Sequence, residues 1–549
     1  MDRGFFFERN LLALSRGDPG LCSRLSTAET TLGRYKFIES RSGEPIPATL
    51  DASGTAHPLH SLVDPRKEGT RLAATLGDEG FLIILGLGGG FHVAAALERG
   101  IEQVVVVEYD INGIAELLSS GEYIHIFNDP RFHLLVDAPA GLLEQYIVEQ
   151  YQPALYGGIG VLSLRTRTDG QPLFREAGEA VKAAIDTVSG DYSVQAYFGK
   201  RWFSNIIRNL PMAEAPAGPV PPVRHAAICA AGPSLDIQLP RLAQRRSSRF
   251  LIATDTSLPA LLGAGLEPDA VISIDCQHIS YYHFMAGLPG RIPLFLDLAS
   301  PPLVASRSRA LHFFSGGHPL TRYISRYWRP FPAVDTSGAN VTYAALSLAD
   351  TLGARDIELY GADFSYPLGR TYARGTYLYP YFEYRQSRLS PLEALFSNFL
   401  YRGPLKRVEG EHAWYYETPS LTRYRRGMEE KIPAIRAKVL PEAGLGAPLL
   451  PGKIPPGEFP APLRIFSSGK AAMGARDFLA GYRARIEALP PMERGIAAYL
   501  EGLDQEAGRV FTTLLPAAAA IKHRQPELSR REILEEVKDY CIEELGRVL

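Results

Sequence analysis

Apolar residues along this chain collect into short solid runs closed by glycine or polar turns, which is how strands buried inside an α/β domain read. Phe81-Leu82-Ile83-Ile84-Leu85 is one such run, Val104 to Val107 a second and Ala226 to Ala230 a third. Phe250-Leu251-Ile252-Ala253-Thr254, Ala270 to Ile274, Leu294-Phe295-Leu296-Asp297 and Asp356-Ile357-Glu358-Leu359-Tyr360 extend the series. Elsewhere the apolar spacing lengthens to the helical period, as over Phe174 to Val188 and in Trp202, Ile206, Ile207 and Leu210. Regular alternation of the two patterns predicts α/β layers on parallel sheets. Tyr35-Lys36-Phe37-Ile38 and Pro47-Ala48-Thr49-Leu50 read as hairpin strands, a small β-rich lead-in. Near the end, Ala471 to Leu489, Met492 to Leu503, Ala507 to Lys522 and Pro526 to Leu549 predict helices, and Ala517-Ala518-Ala519-Ala520 favours helix strongly.

Proline marks the joints. Pro211 to Pro222 is expected to be an extended, stiff linker, and Pro441 to Pro462 lies in a second Pro/Gly-rich stretch. The predicted organisation is an N-terminal domain over 1–210, a linker over 211–222, a central domain over 223–435, a linker over 436–465 and a C-terminal helical bundle over 466–549. For that bundle a packing or partner-docking role is expected.

Composition narrows the function. The 549 residues, 46% hydrophobic and 21% charged, suit two or three globular domains. A net charge of -2 carries no nucleic-acid footprint. No apolar run is long enough to span a bilayer, and Glu8, Arg9 and Asn10 interrupt any signal-peptide core. Cys22, Cys229, Cys276 and Cys541 lack metal-ligand spacing, so no metal site is expected and the chain reads as cytoplasmic and reduced.

Two glycine turns carry candidate chemistry. After the first strand comes Gly86-Leu87-Gly88-Gly89-Gly90, and Glu108 follows Gly88 by 20 residues. That is the Rossmann spacing, in which an acidic side chain takes ribose hydroxyls. This half resembles the nucleotide-binding start of methyltransferases, especially polyamine-synthase-like ones, and Asn128-Asp129-Pro130-Arg131 and Asp137 continue the resemblance. No catalytic residues follow, so Gly86, Gly88, Gly90 and Glu108 are expected to frame an empty or vestigial pocket, with a working cofactor site as the alternative.

The second turn, Ala231-Gly232-Pro233-Ser234, closes the strand that begins at His225. Such a strand-turn-helix puts free backbone N–H groups where an anion can sit. Asp255-Thr256-Ser257, Asp275 and Asp363 stand at the carboxyl ends of the following strands, and Thr336-Ser337-Gly338-Ala339-Asn340 opens a helix. Ligands in open α/β sheets bind along that edge, so a nucleotide-type site is predicted there. Residues 365 to about 425, rich in Tyr, Arg and Gly, have the composition of loops that cover active sites. Asn205 and Asn209, one helical turn apart, are expected to cap or to make inter-domain contacts.

Together, Ala231-Gly232-Pro233-Ser234-Leu235, Ala253-Thr254-Asp255-Thr256-Ser257, Leu266-Glu267-Pro268-Asp269, Ser273-Ile274-Asp275 and the stretch Thr336 to Phe364 resemble the motility accessory factor (Maf) family. His60-Ser61-Leu62-Val63-Asp64-Pro65 and Glu68 are similar to that family's N-terminal domain, so the resemblance covers roughly Asn10 to Lys431. It implies a glycosyltransferase that moves a nonulosonic acid from a CMP-activated donor to Ser or Thr of flagellin, with no further cofactor. The central domain is also similar to bacterial lipooligosaccharide sialyltransferases and to archaeal 6-hydroxymethylpterin diphosphokinases (MptE-like), which would use ATP and Mg²⁺ held by Asp255, Asp275 or Asp363. A catalytically silent flagellin-binding protein is the third expectation.

The sialyltransferase resemblance implies roles. Gly232, Pro233 and Ser234 would form the phosphate-approach turn, Asp255 and Asp275 would face cytidine and ribose, Thr336, Ser337 and Gly338 would bind the sugar nucleotide, and Asp363 would lie near it. Tyr366 and Tyr372, six residues apart, match two tyrosines that donate to the leaving phosphate. This chain departs from that pattern at Ala231, Asp255 and Asp275, each an Asn there. His412 is nearest in order to the general base, without the surrounding motif.

Overall fold

Strands flanked on both sides must satisfy apolar contacts on both faces, and the most solid apolar runs lie at the centres of two parallel sheets. The structure, a computed structural model, describes residues 3–30, 33–51, 53–215, 217–450, 469–493 and 495–549. It comprises two units, Met1–Gly199 with Ala488–Tyr540, and Lys200–Glu487 with Cys541–Leu549.

In the first unit β1 (Tyr35–Glu39), β2 (Pro45–Leu50) and β3 (Ala56–Pro58) form a small antiparallel sheet, the expected lead-in. β4 (Glu79–Leu85), β5 (Gln103–Glu108), β6 (Phe132–Val136) and β7 (Gly158–Ser163) form a parallel sheet in the order β6-β5-β4-β7. Phe81 to Ile84 and Val104 to Val107 are fully buried in it. The two helical stretches read between 174 and 210 belong to one 38-residue helix, Pro172–Asn209. Helices Ile496–Gly502 and Gln505–Arg524 belong to this unit, where Ala517 to Ala520 are buried. The C-terminal stretch is therefore helical as expected, but its helices are shared between the two units instead of closing on themselves.

The second unit is built on β8 (His225–Cys229), β9 (Phe250–Thr254), β10 (Ala270–Ser273), β11 (Leu294–Asp297), β12 (Leu311–Phe314) and β13 (Asp356–Tyr360). β14 (Tyr366–Pro367), β15 (Lys406–Glu409), β16 (Trp414–Glu417) and β17 (Lys438–Pro441) complete its strands. The large sheet is parallel throughout, in the order β12-β11-β10-β9-β8-β13-β17. The chain steps outward from β8 to β12, then returns past β8 to lay down β13 and β17. The strand order therefore reverses at β8, and the crevice at the carboxyl ends of β8 and β13 is the topological switch point where such sheets bind ligands. A small antiparallel sheet, β14-β16-β15, follows β13.

Both expected linkers hold fixed structure. β17 lies inside 436–465, paired with β13, and residues 451–465 lie outside the described residues. In 211–222, where Pro216 lies outside the described residues, the buried guanidinium of Arg329 takes the carbonyls of Ala213, Glu214 and Ala215. A buried cation collecting backbone carbonyls fixes the segment against the domain. Among the described residues no helix is long and apolar enough to cross a membrane.

Candidate active site

The Gly232 turn shows how the site is assembled. A Cβ at Gly232 would stand 2.5 Å from the carbonyl oxygen of Gly361, so only glycine lets the β8 and β13 turns approach. The Gly232 N–H donates to that carbonyl at 2.8 Å. Ser234 N–H donates to Asp363 Oδ2 at 2.8 Å and Ser234 Oγ donates to Asp363 Oδ1. Leu445 N–H in turn donates to Ser234 Oγ at 2.7 Å. The N–H groups expected to be free for a phosphate are therefore spent, and the anion at the start of helix Leu235–Arg245 is the protein's own Asp363. Burial pushes the Asp363 carboxyl up, and the hydrogen bonds from Ser234 oppose it. A carboxylate so engaged is not free to hold a metal ion.

The β9 and β10 ends carry a second polar cluster. Ser257 Oγ donates to Cys229 O at 2.7 Å and ties β9 to β8, a structural use of a residue expected in the site. Asp255, 3% exposed, accepts from Thr256 N–H at 2.7 Å and from Ser273 Oγ at 2.6 Å. Asp275 accepts from Gln277 N–H at 2.8 Å, and burial followed by the Asp255 charge pushes its carboxyl up. His283 sits among them with its basicity lowered by burial and supported by both carboxylates. Among the described residues no group of three His, Cys, Asp or Glu side chains is placed to hold a metal ion.

Beyond the turn lies a cavity of about 620 Å³. Gly232, Thr256, Asn340, Asp363, Tyr366 and Tyr372 line it, so the predicted residues converge in part. Two helices begin at its wall. Asn340 caps Val341–Thr351 by accepting from Tyr343 N–H at 2.9 Å, and Thr418 caps Pro419–Lys431 by accepting from Leu421 N–H at 3.1 Å. The first N–H groups of a helix have no partner within it, and the helix dipole adds partial positive charge there. Arg402 also faces the cavity. Burial, then the neighbouring phenols of Tyr377 and Tyr366, push Tyr372 well above the usual tyrosine range, so it stays a neutral donor. Tyr366 is fixed by β14, whose partner at that position is Tyr416 of β16. A guanidinium, two helix starts and two phenols around one cavity suit an anionic group.

Other predicted residues support this wall without reaching it. Thr336 Oγ1 donates to Gly316 O at 3.0 Å, Ser337 N–H to Asp335 Oδ1 at 2.9 Å, and a Cβ at Gly338 would strike the Tyr343 ring. These contacts shape the loop that presents Asn340. Pro233 and Ser234 lie behind Asp363. His412 is exposed in the β15–β16 hairpin turn and does not line the cavity, which corrects its expected role as base. Asn205 and Asn209 cap strand-end carbonyls, Asn205 donating to Ala299 O at 2.8 Å and Asn209 to Ser300 O at 2.8 Å. Arg402, Thr371, Tyr424 and the Thr418 cap were missed. Thr418-Pro419 carried a legible signal, an N-cap followed by proline at the first helical position; Arg402 carried none beyond the composition of its segment.

In the first unit the chain itself packs against the glycine turn at Gly86 and Gly88, while Gly89 and Gly90 line a cavity of about 1030 Å³ with Tyr35, Glu116 and Tyr123. Gly86, Gly88 and Gly90 all have positive φ, and a Cβ at Gly88 would lie 2.6 Å from His60 Nε2. That nitrogen accepts from Gly89 N–H at 2.9 Å, while Nδ1 meets Glu68 Oε2 at 3.2 Å. Glu108, wholly buried, accepts from Leu87 N–H at 2.7 Å and pairs with Arg167 at 3.0 Å. The carboxylate placed for ribose by its spacing thus anchors the turn.

The family model for 6-hydroxymethylpterin diphosphokinase MptE-like proteins matches residues 204–369, which span β8 to β14. An uncharacterized protein of Treponema pallidum (strain Nichols) is 35% identical over 158 residues, 28% of this chain and 56% of that one. A second from the same organism is 32% identical over 167 residues, 30% of this chain and 80% of that one. This chain thus spans just over half the length of the first. The solved structure of a Maf glycosyltransferase from Magnetospirillum magneticum AMB-1 superposes with a TM-score of 0.59 at 14% identity, over 100% of this chain and 95% of that one. Residues 204–369 thus carry an MptE-like domain, and the chain as a whole has the fold of a Maf glycosyltransferase.

Proposed function

We propose that the second unit is a glycosyltransferase that moves a nonulosonic acid from a CMP-activated donor to a Ser or Thr hydroxyl of flagellin, working in the cytoplasm. The observation that carries this reading is the pair of phenols, Tyr366 and Tyr372, facing one cavity at the switch point beside Arg402. Departure of CMP leaves negative charge on a phosphate oxygen. Neutral donors aimed at that oxygen, backed by a guanidinium and two helix starts, stabilise the charge where it develops. The likeness in fold to a Maf glycosyltransferase supports the same reading.

A diphosphotransferase acting on a pterin with ATP and Mg²⁺ is favoured by the family match and by the adjacent Asp255 and Asp275 carboxylates. Asp363 would not join them, being engaged by Ser234. Calorimetry separates the two. CMP is expected to bind without a divalent ion; binding of ATP-Mg²⁺ with no binding of CMP would transfer the assignment to the pterin reaction. An unchanged mass of co-expressed flagellin beside normal CMP binding would indicate a silent flagellin-binding protein.

A further inference from the structure

The reaction cavity does not end at its wall. Pro404, Leu405, Thr418 and Pro419 line it and also line a second cavity, of about 640 Å³, so the two adjoin. One side of this second space is a single face of helix Pro419–Lys431. Thr422, Arg423, Arg426, Gly427 and Glu430 follow Pro419 there at spacings of three and four residues. The other side is the segment that leads into β15 and ends on Lys406. Together they make a groove that leaves the reaction cavity and follows a helix. From Pro419 to Glu430 a helix rises about 17 Å, room for about five residues of extended chain.

Shape and charge both say what fits. A Cβ at Gly427 would meet nothing within 4 Å, so packing does not require glycine at that position. Alanine would serve the helix better; glycine leaves its backbone bare where another chain could lie across it. Arg423, Arg426 and Lys406 are exposed, and among the described residues none of them is held in an ion pair. Glu417, opposite Lys406 in the β15–β16 ladder, is met by Arg425 at 3.7 Å. That leaves three cations in the groove against Glu430. Arg402, on the cavity side of the shared wall, extends the same charge.

We propose that this groove holds the acceptor polypeptide, as an extended acidic segment on one side of the Ser or Thr that enters the cavity. The proposal rests on the glycosyltransferase reading and names how such an enzyme chooses among hydroxyls. The donor's phosphate is met by Tyr366 and Tyr372 in the cavity, which leaves the groove to the second substrate. With the hydroxyl in the cavity, the neighbouring residues of the acceptor run over Gly427, and their carboxylates face Arg423, Arg426 and Lys406. Each such exposed pair adds modest affinity and weakens with salt. Together they steer encounter and fix register, and register selects one hydroxyl among the many on a polypeptide.

The test uses the full chain with co-purified flagellin and CMP-linked N-acetylneuraminate, pseudaminate and legionaminate, with CMP release and flagellin mass as readouts. The double variant Arg423→Gln, Arg426→Gln should raise the KM for flagellin ~5–30-fold, as the loss of two exposed ion pairs predicts. Its donor KM and CMP affinity should stay at wild-type values. Added salt should raise the wild-type KM for flagellin, and the double variant should lose most of that dependence. Gly427→Leu fills the groove and should also raise the flagellin KM, with a melting temperature at or above wild type. Glycopeptide mapping should find Asp or Glu within about five residues of each modified Ser or Thr. A wild-type flagellin KM in the double variant overturns the assignment, and so do modified sites without an acidic neighbour. If the double variant does not fold, a wild-type flagellin KM in Gly427→Leu overturns it instead. An equal rise in the donor KM gives the groove to the nucleotide sugar and also overturns it. Absence of turnover by the wild-type chain with all three donors overturns the glycosyltransferase reading itself, and this assignment with it.

Discussion

Tyr372 shows what burial does for a phenol. Pushed well above its ordinary range, it stays protonated at any physiological pH and always has a hydrogen to give. Replacing Tyr366 or Tyr372 by Phe keeps the ring and removes that hydrogen. Turnover should fall ~10²–10³-fold for either variant, the usual cost of one preorganised donor to a developing charge. CMP affinity should change far less, because the bond strengthens only as the phosphate leaves. Wild-type turnover in both variants would show that the rings only pack. Glu108 and Arg167 present the opposite case, a buried pair with a structural task. Removing one partner strands the other's charge, so Arg167→Met should cost about 3–5 kcal/mol in denaturant unfolding. Burial already raises the Glu108 carboxyl, and Arg167 opposes that rise. An acid whose folded pKa lies above its unfolded one loses stability as pH climbs between the two. The deficit of Arg167→Met relative to wild type should therefore be largest near neutrality and shrink as pH falls toward the carboxylate range. A deficit independent of pH would mean that Glu108 is not the group left stranded.

At the scale of elements, helix contact turns on single glycines. A Cβ at Gly199 would strike the backbone carbonyl of Pro516, so helices Pro172–Asn209 and Gln505–Arg524 approach only because that side chain is absent. Gly→Ala in an exposed helix gains about 1 kcal/mol from propensity. Here overpacking of about 1–3 kcal/mol should win, and Gly199→Ala should lower the melting temperature; a rise would place the two helices farther apart. Legibility in the sequence followed the same logic of neighbours. The central strands were read correctly because each is flanked on both sides and buried on both faces. β12 and β17 were not, and they are the two edges of the large sheet. Leu-His-Phe-Phe is too short and mixed to stand out, and Lys-Val-Leu-Pro is hidden in proline-rich sequence that only an edge strand tolerates. The site was legible in position and less so in detail. Gly232 marked the turn, but that Asp363, 129 residues beyond Ser234, fills it depends on pairing β8 with β13. His412 looked apt by order alone, whereas exposure is a property of the folded hairpin.

For the whole molecule, the division into units matters more than the order of the chain. Val510, Phe511 and Leu514 are buried in the unit that begins at Met1. Arg530 donates to Leu155 O at 2.6 Å and pairs with Glu102 at 2.9 Å, and Ile496 N–H donates to Glu102 at 3.1 Å. A chain truncated after Glu487 should therefore lose the cooperative unfolding of its N-terminal sheet and become protease-sensitive within 1–199. Limited proteolysis read by mass spectrometry would show this; fragments from 1–199 as resistant as in the full chain would contradict it. Synthesis runs in one direction, and helix Pro153–Tyr156 beside β7 leaves the ribosome long before Gln505–Arg524, which packs against it. At translation rates of roughly 5–20 residues per second, that contact surface waits on the order of tens of seconds for its partner helix to be made. During that interval the nascent N-terminal segment is a natural client for chaperones, and the final hundred codons govern how much of the first two hundred reaches its native state.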